Sequence, residues 1–251
     1  MDKAILVLSG LDPCAGAGIS ADIETISHFG ISALPVITTL TVQNTESVAK
    51  IQPVDSELIS QQLCHLRADI EIKFVKIGLL SSAAQIKAIA QFLQNMTLTI
   101  VLDPIVKSSS KNTLLPASAL PALRQYLLPL VDILTPNLAE LSVLSDAKSE
   151  QQKVASLAVK WVLVTTTDAQ DIEIEHRLYK HGNLHKSYTY KKLSGNYHGS
   201  GCTLSSAIVA LIAQGLLVEN ACQKALDYTY QTLLSAKSIG KMQKNPNRNL
   251  L

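Results

Sequence analysis

Short apolar runs rich in β-branched residues alternate with longer stretches of helical periodicity from residue 4 to residue 167, and this alternation limits the fold more than any other feature. AILVLSG (4–10), SALPVITTLTVQ (32–43), IKFVKIGLL (72–80), LTIVLDP (98–104), DILTPN (132–137) and WVLVTTT (161–167) read as strands. GAGISADIETISHF (16–29), SELISQQLCHLRAD (56–69), SAAQIKAIAQFLQNM (82–96), the stretch 116–129, LAELSVLS and QKVASLAVK read as helices, the first fed by a glycine loop. Strands this apolar must be covered on both faces. The pattern therefore predicts an α/β fold, a mostly parallel central sheet with helices on both faces. Pro35 suggests an irregular start to its strand. Residues 176–193 alternate polar and apolar and are expected to add an antiparallel hairpin. The chain from Cys202 onward reads as mainly helical, and 241–251 as a frayed tail. With no linker, repeat or low-complexity segment, residues 1–251 read as one domain.

Composition narrows the function classes. Aromatic residues are 4% of the chain and the formal net charge is +2 without a basic block, which argues against nucleic acid or a membrane surface as partner. The amino-terminal apolar run is too short for a membrane span and lacks a signal-peptide layout, so a cytoplasmic enzyme or binding protein is expected. Cys14, Cys64, Cys202 and Cys222 form no CxxC pair. Cys64 and Cys222 read as small buried hydrophobes in helices, whereas Cys14 and Cys202 stand in glycine-containing loops.

In a parallel sheet of this kind, chemistry collects in the loops beyond the carboxyl ends of the strands. In HGSGC (198–202), Gly199 and Gly201 allow backbone N–H groups to approach an anion, and the helix that follows adds partial positive charge. A thiol at Cys202 is expected to have its pKa lowered there. In SGLDPCAGAG (9–18) Asp12 is placed to hold the loop through turn hydrogen bonds, while Gly16 and Gly18 permit close approach of a ligand. Asp103 ends a strand, and Asn137 and Glu140 share one helix face. These three are suited to Mg²⁺ and phosphate, although Asn137 with Glu140 is also a capping-box spacing. Gln43 is a polar side chain at an apolar strand end, able to read the edge of a planar heterocycle or simply to be solvated. The six histidines show no metal-binding spacing, and His198 reads as structural.

SGLDPCAGAGISADIET, TLTVQNT, VKIGLL, VLDP, LTPNLAE and HGSGCTLSSAI follow one another along nearly the whole chain. In that order they resemble the hydroxymethylpyrimidine and phosphomethylpyrimidine kinases of thiamine synthesis. The resemblance implies a ribokinase-like three-layer sandwich that phosphorylates 4-amino-5-hydroxymethyl-2-methylpyrimidine or its monophosphate, with ATP and Mg²⁺, as a homodimer. It assigns Gly10, Ala17, Asp22, Gln43 and Leu79 to the pyrimidine. Gly199, Ser200, Gly201 and Cys202 fall to the anion hole, with Cys202 taking or positioning the hydroxyl proton. Asp103, Asn137, Glu140 and Thr165 fall to ATP and its metal, Glu140 and Asp103 acting on Mg²⁺ through water. The sequence departs from the family pattern at Thr165–Asp168, where glycines are usual, after Asp103-Pro104, and at Cys14-Ala15. Two other readings are a pyridoxal or pyridoxine kinase and a weakly catalytic pyrimidine-phosphate-binding protein.

Overall fold

A computed structural model describes residues 3–107, 112–166 and 172–250. Nine strands form one sheet in the order β3-β2-β1-β4-β5-β6-β7-β8-β9. They are β1 (Ala4–Leu11), β2 (Ser32–Gln43), β3 (Val48–Pro53), β4 (Phe74–Ile77), β5 (Thr99–Leu102), β6 (Ile133–Leu134), β7 (Trp161–Val164), β8 (Glu173–Lys180) and β9 (Asn183–Lys191). From β2 to β7 every pairing is parallel, while β3 and the β8–β9 hairpin are antiparallel at the two edges.

The helices are α1 (Gly18–His28), α2 (Ser56–Asp69), α3 (Ala83–Leu93), α4 (Leu120–Ala122), α5 (Leu138–Leu144), α6 (Glu150–Ser156), α7 (Ser200–Ala213) and α8 (Val218–Leu234). Tighter and wider turns flank α4, because Pro116, Pro121 and Pro129 interrupt the backbone donor ladder. Period-two alternation divides the core between the two sheet faces. Leu6 and Leu8 of β1, with Val75 and Ile77 of β4, pack with Ile59, Leu63, Ile86, Ile89 and Leu141 from α2, α3 and α5. Ile5 and Val7, with Val101 and Ile133, pack with Ile26, Ile208 and Ala225 from α1, α7 and α8. The result is a three-layer α/β sandwich, as expected.

Several local expectations change. β3 was not anticipated: VAKIQP is half exposed and polar, and it becomes a strand by pairing with Thr39–Gln43 of β2. Pro35 pairs in register with Val7, and the irregularity of β2 falls opposite Ser9 and Gly10. At Pro35 β2 is an edge strand, so the missing donor is tolerated. The regular parts of the parallel strands are shorter than their apolar runs, with IKFVKIGLL reduced to Phe74–Ile77 and DILTPN to Ile133–Leu134. Cys64 is exposed rather than buried, whereas Cys222 is buried as expected.

The tail is not frayed. Lys237 bridges Asn245, Tyr197 bridges Lys244, and Asn245 and Arg248 are buried. Hydrogen bonds from these residues to distant loops overcome the disorder expected of a polar chain end. Among the described residues no helix is long and apolar enough to cross a membrane.

Leu8 is fully buried at the centre of the sheet. Leu8→Ala should lower stability by about 2–5 kcal/mol, read from urea unfolding, because the strands around it cannot close the cavity.

Candidate active site

The chain runs outward from β1 to β2 and later returns to the other side of β1 as β4. The sheet therefore reverses its winding direction between β1 and β4, and their carboxyl ends flank a natural crevice. The loop after β1 enters it. Asp12 is almost fully buried and folds this loop around its carboxylate. Oδ1 accepts from Cys14 N (2.8 Å), and Oδ2 accepts from Gly16 N and Ala17 N (both 2.9 Å). Burial alone would raise the Asp12 pKa, but the His198 contact and these backbone donors hold it below the ordinary carboxylate value. His198 Nε2 lies 3.0 Å from Asp12 Oδ2 and 3.2 Å from the amide nitrogen of Gln43. Thr41 donates to Gln43 Oε1 (3.1 Å). The proposed pyrimidine reader is thus held on two sides, and His198 has a place in the site that its sequence context did not reveal.

Three glycine positions show how tightly the crevice floor is packed. A Cβ on Gly10 would stand 2.9 Å from Leu79 Cδ2. Gly18, at φ +61°, lies over the Gly10 carbonyl, and Gly199, at φ +84°, lies over the Gly16 carbonyl. Only glycine adopts these left-handed conformations without strain and also permits such backbone contact. Ala17, beside them, is half buried and gives its N–H to Asp12.

Gly199 begins α7. No side chain caps this helix, in contrast to Asp55 at α2, Ser82 at α3 and Asn137 at α5. The first N–H groups of α7, at Ser200, Gly201 and Cys202, have no partner within the helix, and Gly201 is exposed. The opening of α7 has the form of an anion site.

Beneath it sits a buried charge cluster. Lys76 Nζ on β4 lies 2.7 Å from Asp22 Oδ1 on α1, and neither side chain is exposed to solvent. Ser206 of α7 donates to the same oxygen (2.7 Å). Burial alone would lower the Lys76 pKa, but the carboxylate of Asp22, with Asp103 nearby, outweighs it and holds the ammonium above its usual value. Lys76 stands within the VKIGLL motif, yet nothing in its spacing marked it as part of a site.

Cys202 is 4% exposed. Burial pushes its thiol up to about 12; Lys76 opposes the rise, and Asp22 and Asp103 add to it. This corrects the expectation of a lowered pKa: at Cys202 desolvation and two carboxylates outweigh the helix terminus and the ammonium. The neighbouring thiol in turn favours the Asp103 carboxylate, against the effect of burial.

Asp103 packs 3.3 Å from where a Cβ on Gly201 would lie, so the acid and the anion site are neighbours. Burial, opposed by Lys76, raises the Asp103 pKa to about 6. Burial, and then the charge of Asp103, raises Glu140 to about 8. Asn137 and Glu140 do form a capping box: Glu140 N donates to Asn137 Oδ1 (2.8 Å) and Asn137 N to Glu140 Oε2 (2.9 Å). The backbone donors of Asn137 and Val106 favour the Glu140 carboxylate, but burial and the charge of Asp103 outweigh them. Two buried, mutually repelling acids fit a divalent cation. Among the described residues no group of three or more His, Cys, Asp or Glu is arranged to hold a metal ion by itself, so waters and ligand phosphates would complete the coordination. Thr165 bridges Asn137 and donates its N–H to Pro136 O (2.9 Å). Thr166 is buried against β8, its hydroxyl on Glu175 O and its N–H on His176 Nδ1 (3.3 Å), which gives this departure from the glycine pattern a structural role. Thr167 and Asp168, and residues 108–111 of the other departure, lie outside the described residues.

The sequence model of the phosphomethylpyrimidine kinase family matches residues 12–247. A hydroxymethylpyrimidine/phosphomethylpyrimidine kinase of Rhizobium meliloti is 33% identical over 248 residues, covering 95% of this chain and 93% of that protein. The enzyme of the same description from Escherichia coli is 31% identical, covering 93% and 92%. Among solved structures, a phosphomethylpyrimidine kinase from Clostridium difficile superimposes with a TM-score of 0.80 at 30% identity, covering 92% of this chain and all of that one. A pyridoxal kinase from Bacillus subtilis superimposes with a TM-score of 0.90, covering 99% and 98%. Its identity is 24%, and the likeness speaks to the fold alone.

Two outcomes follow from the charges. Glu140 has a raised folded-state pKa, so its contribution to stability is present below its unfolded value of 4.5 and is lost as pH rises through about 8. Without cation, Glu140→Gln should therefore match the wild type in thermal unfolding at about pH 5 and exceed it at about pH 8.5, and Mg²⁺ should raise the wild-type midpoint more than that of the variant. Iodoacetamide near neutral pH should label exposed Cys64 well before the buried, neutral thiol of Cys202, as read by peptide mass spectrometry.

Proposed function

The chain belongs to the phosphomethylpyrimidine kinase family, and on that premise we propose that the site moves the γ-phosphoryl group of ATP onto 4-amino-5-hydroxymethyl-2-methylpyrimidine and onto its monophosphate. The observation that carries this reading is the adjacency of an uncapped helix start to a buried acid pair, with Gly201 against Asp103. Phosphoryl transfer needs both: donors for the moving anion and a place for the cation that neutralises it. Bound Mg²⁺ would screen the phosphate charges, with Asp103 and Glu140 holding it through water.

The chain's own residues do the aligning. Gln43, steadied by Thr41 and His198, reads the pyrimidine edge, and Gly10, Ala17 and Leu79 shape the floor beneath the ring. Asp22 holds Lys76 below the anion hole. Ser200, Gly201 and Cys202 offer N–H groups to the phosphoryl oxygens, and Asn137, Glu140 and Thr165 line the nucleotide side. As a buried, neutral thiol, Cys202 acts as a positioning group for the attacking hydroxyl rather than as a preformed thiolate. A loose transition state requires in-line alignment more than a strong base. The same reading takes the protein to be a cytoplasmic homodimer acting on small molecules.

The test is ADP release by purified protein with ATP and Mg²⁺, offered the pyrimidine alcohol, its monophosphate and pyridoxal separately. Turnover of both pyrimidines is expected. Turnover of pyridoxal alone would replace the reading with a vitamin B6 kinase, and tight pyrimidine binding without turnover would replace it with a binding protein. Cys202→Ala should fold normally and lower kcat by about 100-fold. Unchanged turnover in that variant would remove Cys202 from the mechanism.

A further inference from the structure

We propose that Arg248, carried by the docked C-terminal segment, is a positioning residue that locks the pyrimidine-side loop against the start of α7; the inference rests on the kinase reading above for its kinetic consequence only. Its side chain is buried almost completely. Nη2 donates to Gly16 O, Nη1 to Ala15 O (3.2 Å) and to Glu24 Oε2 (3.1 Å), and Nε to Thr203 Oγ1 (2.8 Å). Thr203 Oγ1 in turn donates to Gly199 O (2.9 Å), the residue that opens α7 and rests on Gly16. One planar cation thus joins the first loop, α1 and the phosphate-side helix.

The peptide groups of the loop show what this does. The Ala15–Gly16 peptide gives its N–H to Asp12 and its carbonyl to Arg248. The Gly16–Ala17 peptide does the same. Both peptide planes are therefore held from opposite sides, by a carboxylate and by a guanidinium. Ala15 has φ +55°, a left-handed conformation that a residue with a Cβ adopts only under restraint. Asp12 restrains it from one side and Arg248 from the other. The tail is itself fixed: Arg248 O accepts from Tyr228 (2.8 Å), Asn247 N donates to Thr232 O (2.9 Å), and Asn245 Nδ2 donates to Cys14 O (2.9 Å). The side-chain bonds of Arg248 end on Ala15, Gly16, Glu24 and Thr203 and not on Asn137, Glu140 or Thr165, so what it sets is the first loop and its seat on the start of α7, not the Asn137–Thr165 side. Lysine has no planar fork with which to reach these acceptors together.

The test uses the full-length protein with Arg248→Ala and Arg248→Lys. Amide hydrogen exchange of the 12–17 loop should speed up by about tenfold in both variants while the central strands keep wild-type rates. The KM for the pyrimidine should rise by about tenfold, with the KM for ATP changing by less than about twofold. Millimolar guanidinium should partly restore Arg248→Ala, which a general loss of folding would not allow. Unchanged loop exchange, or faster exchange across the whole sheet, overturns the proposal, as does an equal rise in both Michaelis constants. If the wild type turns over no pyrimidine, the kinase reading falls, and the exchange measurement alone still decides the role of Arg248. Should Arg248→Ala not fold, Thr203→Val removes a single anchor. It should give the same pattern at smaller size, and no change in loop exchange there overturns the proposal.

Discussion

The buried pair of Lys76 and Asp22 is the constraint around which the rest of the molecule is arranged. Two opposite charges 2.7 Å apart without solvent exposure are costly to bury, and each is tolerable only because the other is there. The pair joins β4 at the centre of the sheet to α1, and Ser206 brings in α7. Three elements distant in sequence therefore share one electrostatic centre directly under the crevice. Removing either partner would strand a charge in the core, which ties the relative placement of β4, α1 and α7 to folding.

Above that centre, local charges have separated roles. Lys76 is held cationic, Cys202 is kept a neutral thiol, and Asp103 and Glu140 carry raised pKa values because both are buried, Asp22 adding to the rise at Asp103 and Asp103 to the rise at Glu140. On the kinase reading proposed above, a bound cation would offset the charge of these two acids. That is the electrostatic requirement of a reaction in which the substrate brings several phosphate charges and the protein forms no covalent bond. Asp12 and Arg248 provide the mechanical counterpart, gripping the same two peptide groups from their N–H and carbonyl sides.

Much of this was legible in the chain before any coordinate. The strand and helix runs were readable because burial on both faces demands continuous apolar strands, and β2 and α2 fall at Ser32–Gln43 and Ser56–Asp69 as their patterns predict. Asp12, Gly199, Asp103 and Glu140 stood out because turns, close backbone approach and cation binding each call for particular residue types at strand ends. β3 did not stand out, because its identity as a strand comes from the partner it pairs with and not from its own half-exposed sequence. Cys202 stands in the first turn of a helix, as its sequence implies, but its pKa moves the opposite way to that expected there: a helix terminus is visible in sequence, whereas the depth at which a sulfur is buried is not.

The sequence by itself determined the layered α/β architecture, the loops at the strand ends and the residue types within them, because these follow from periodicity and from the short-range demands of the backbone. Only the tertiary structure decided that Lys76 faces Asp22, that His198 touches both Asp12 and Gln43, and that a polar chain end returns to seat Arg248 beside Gly16. Each of these joins residues far apart in the chain. Their free energies depend on burial and direction, and those quantities exist only once the chain has closed on itself.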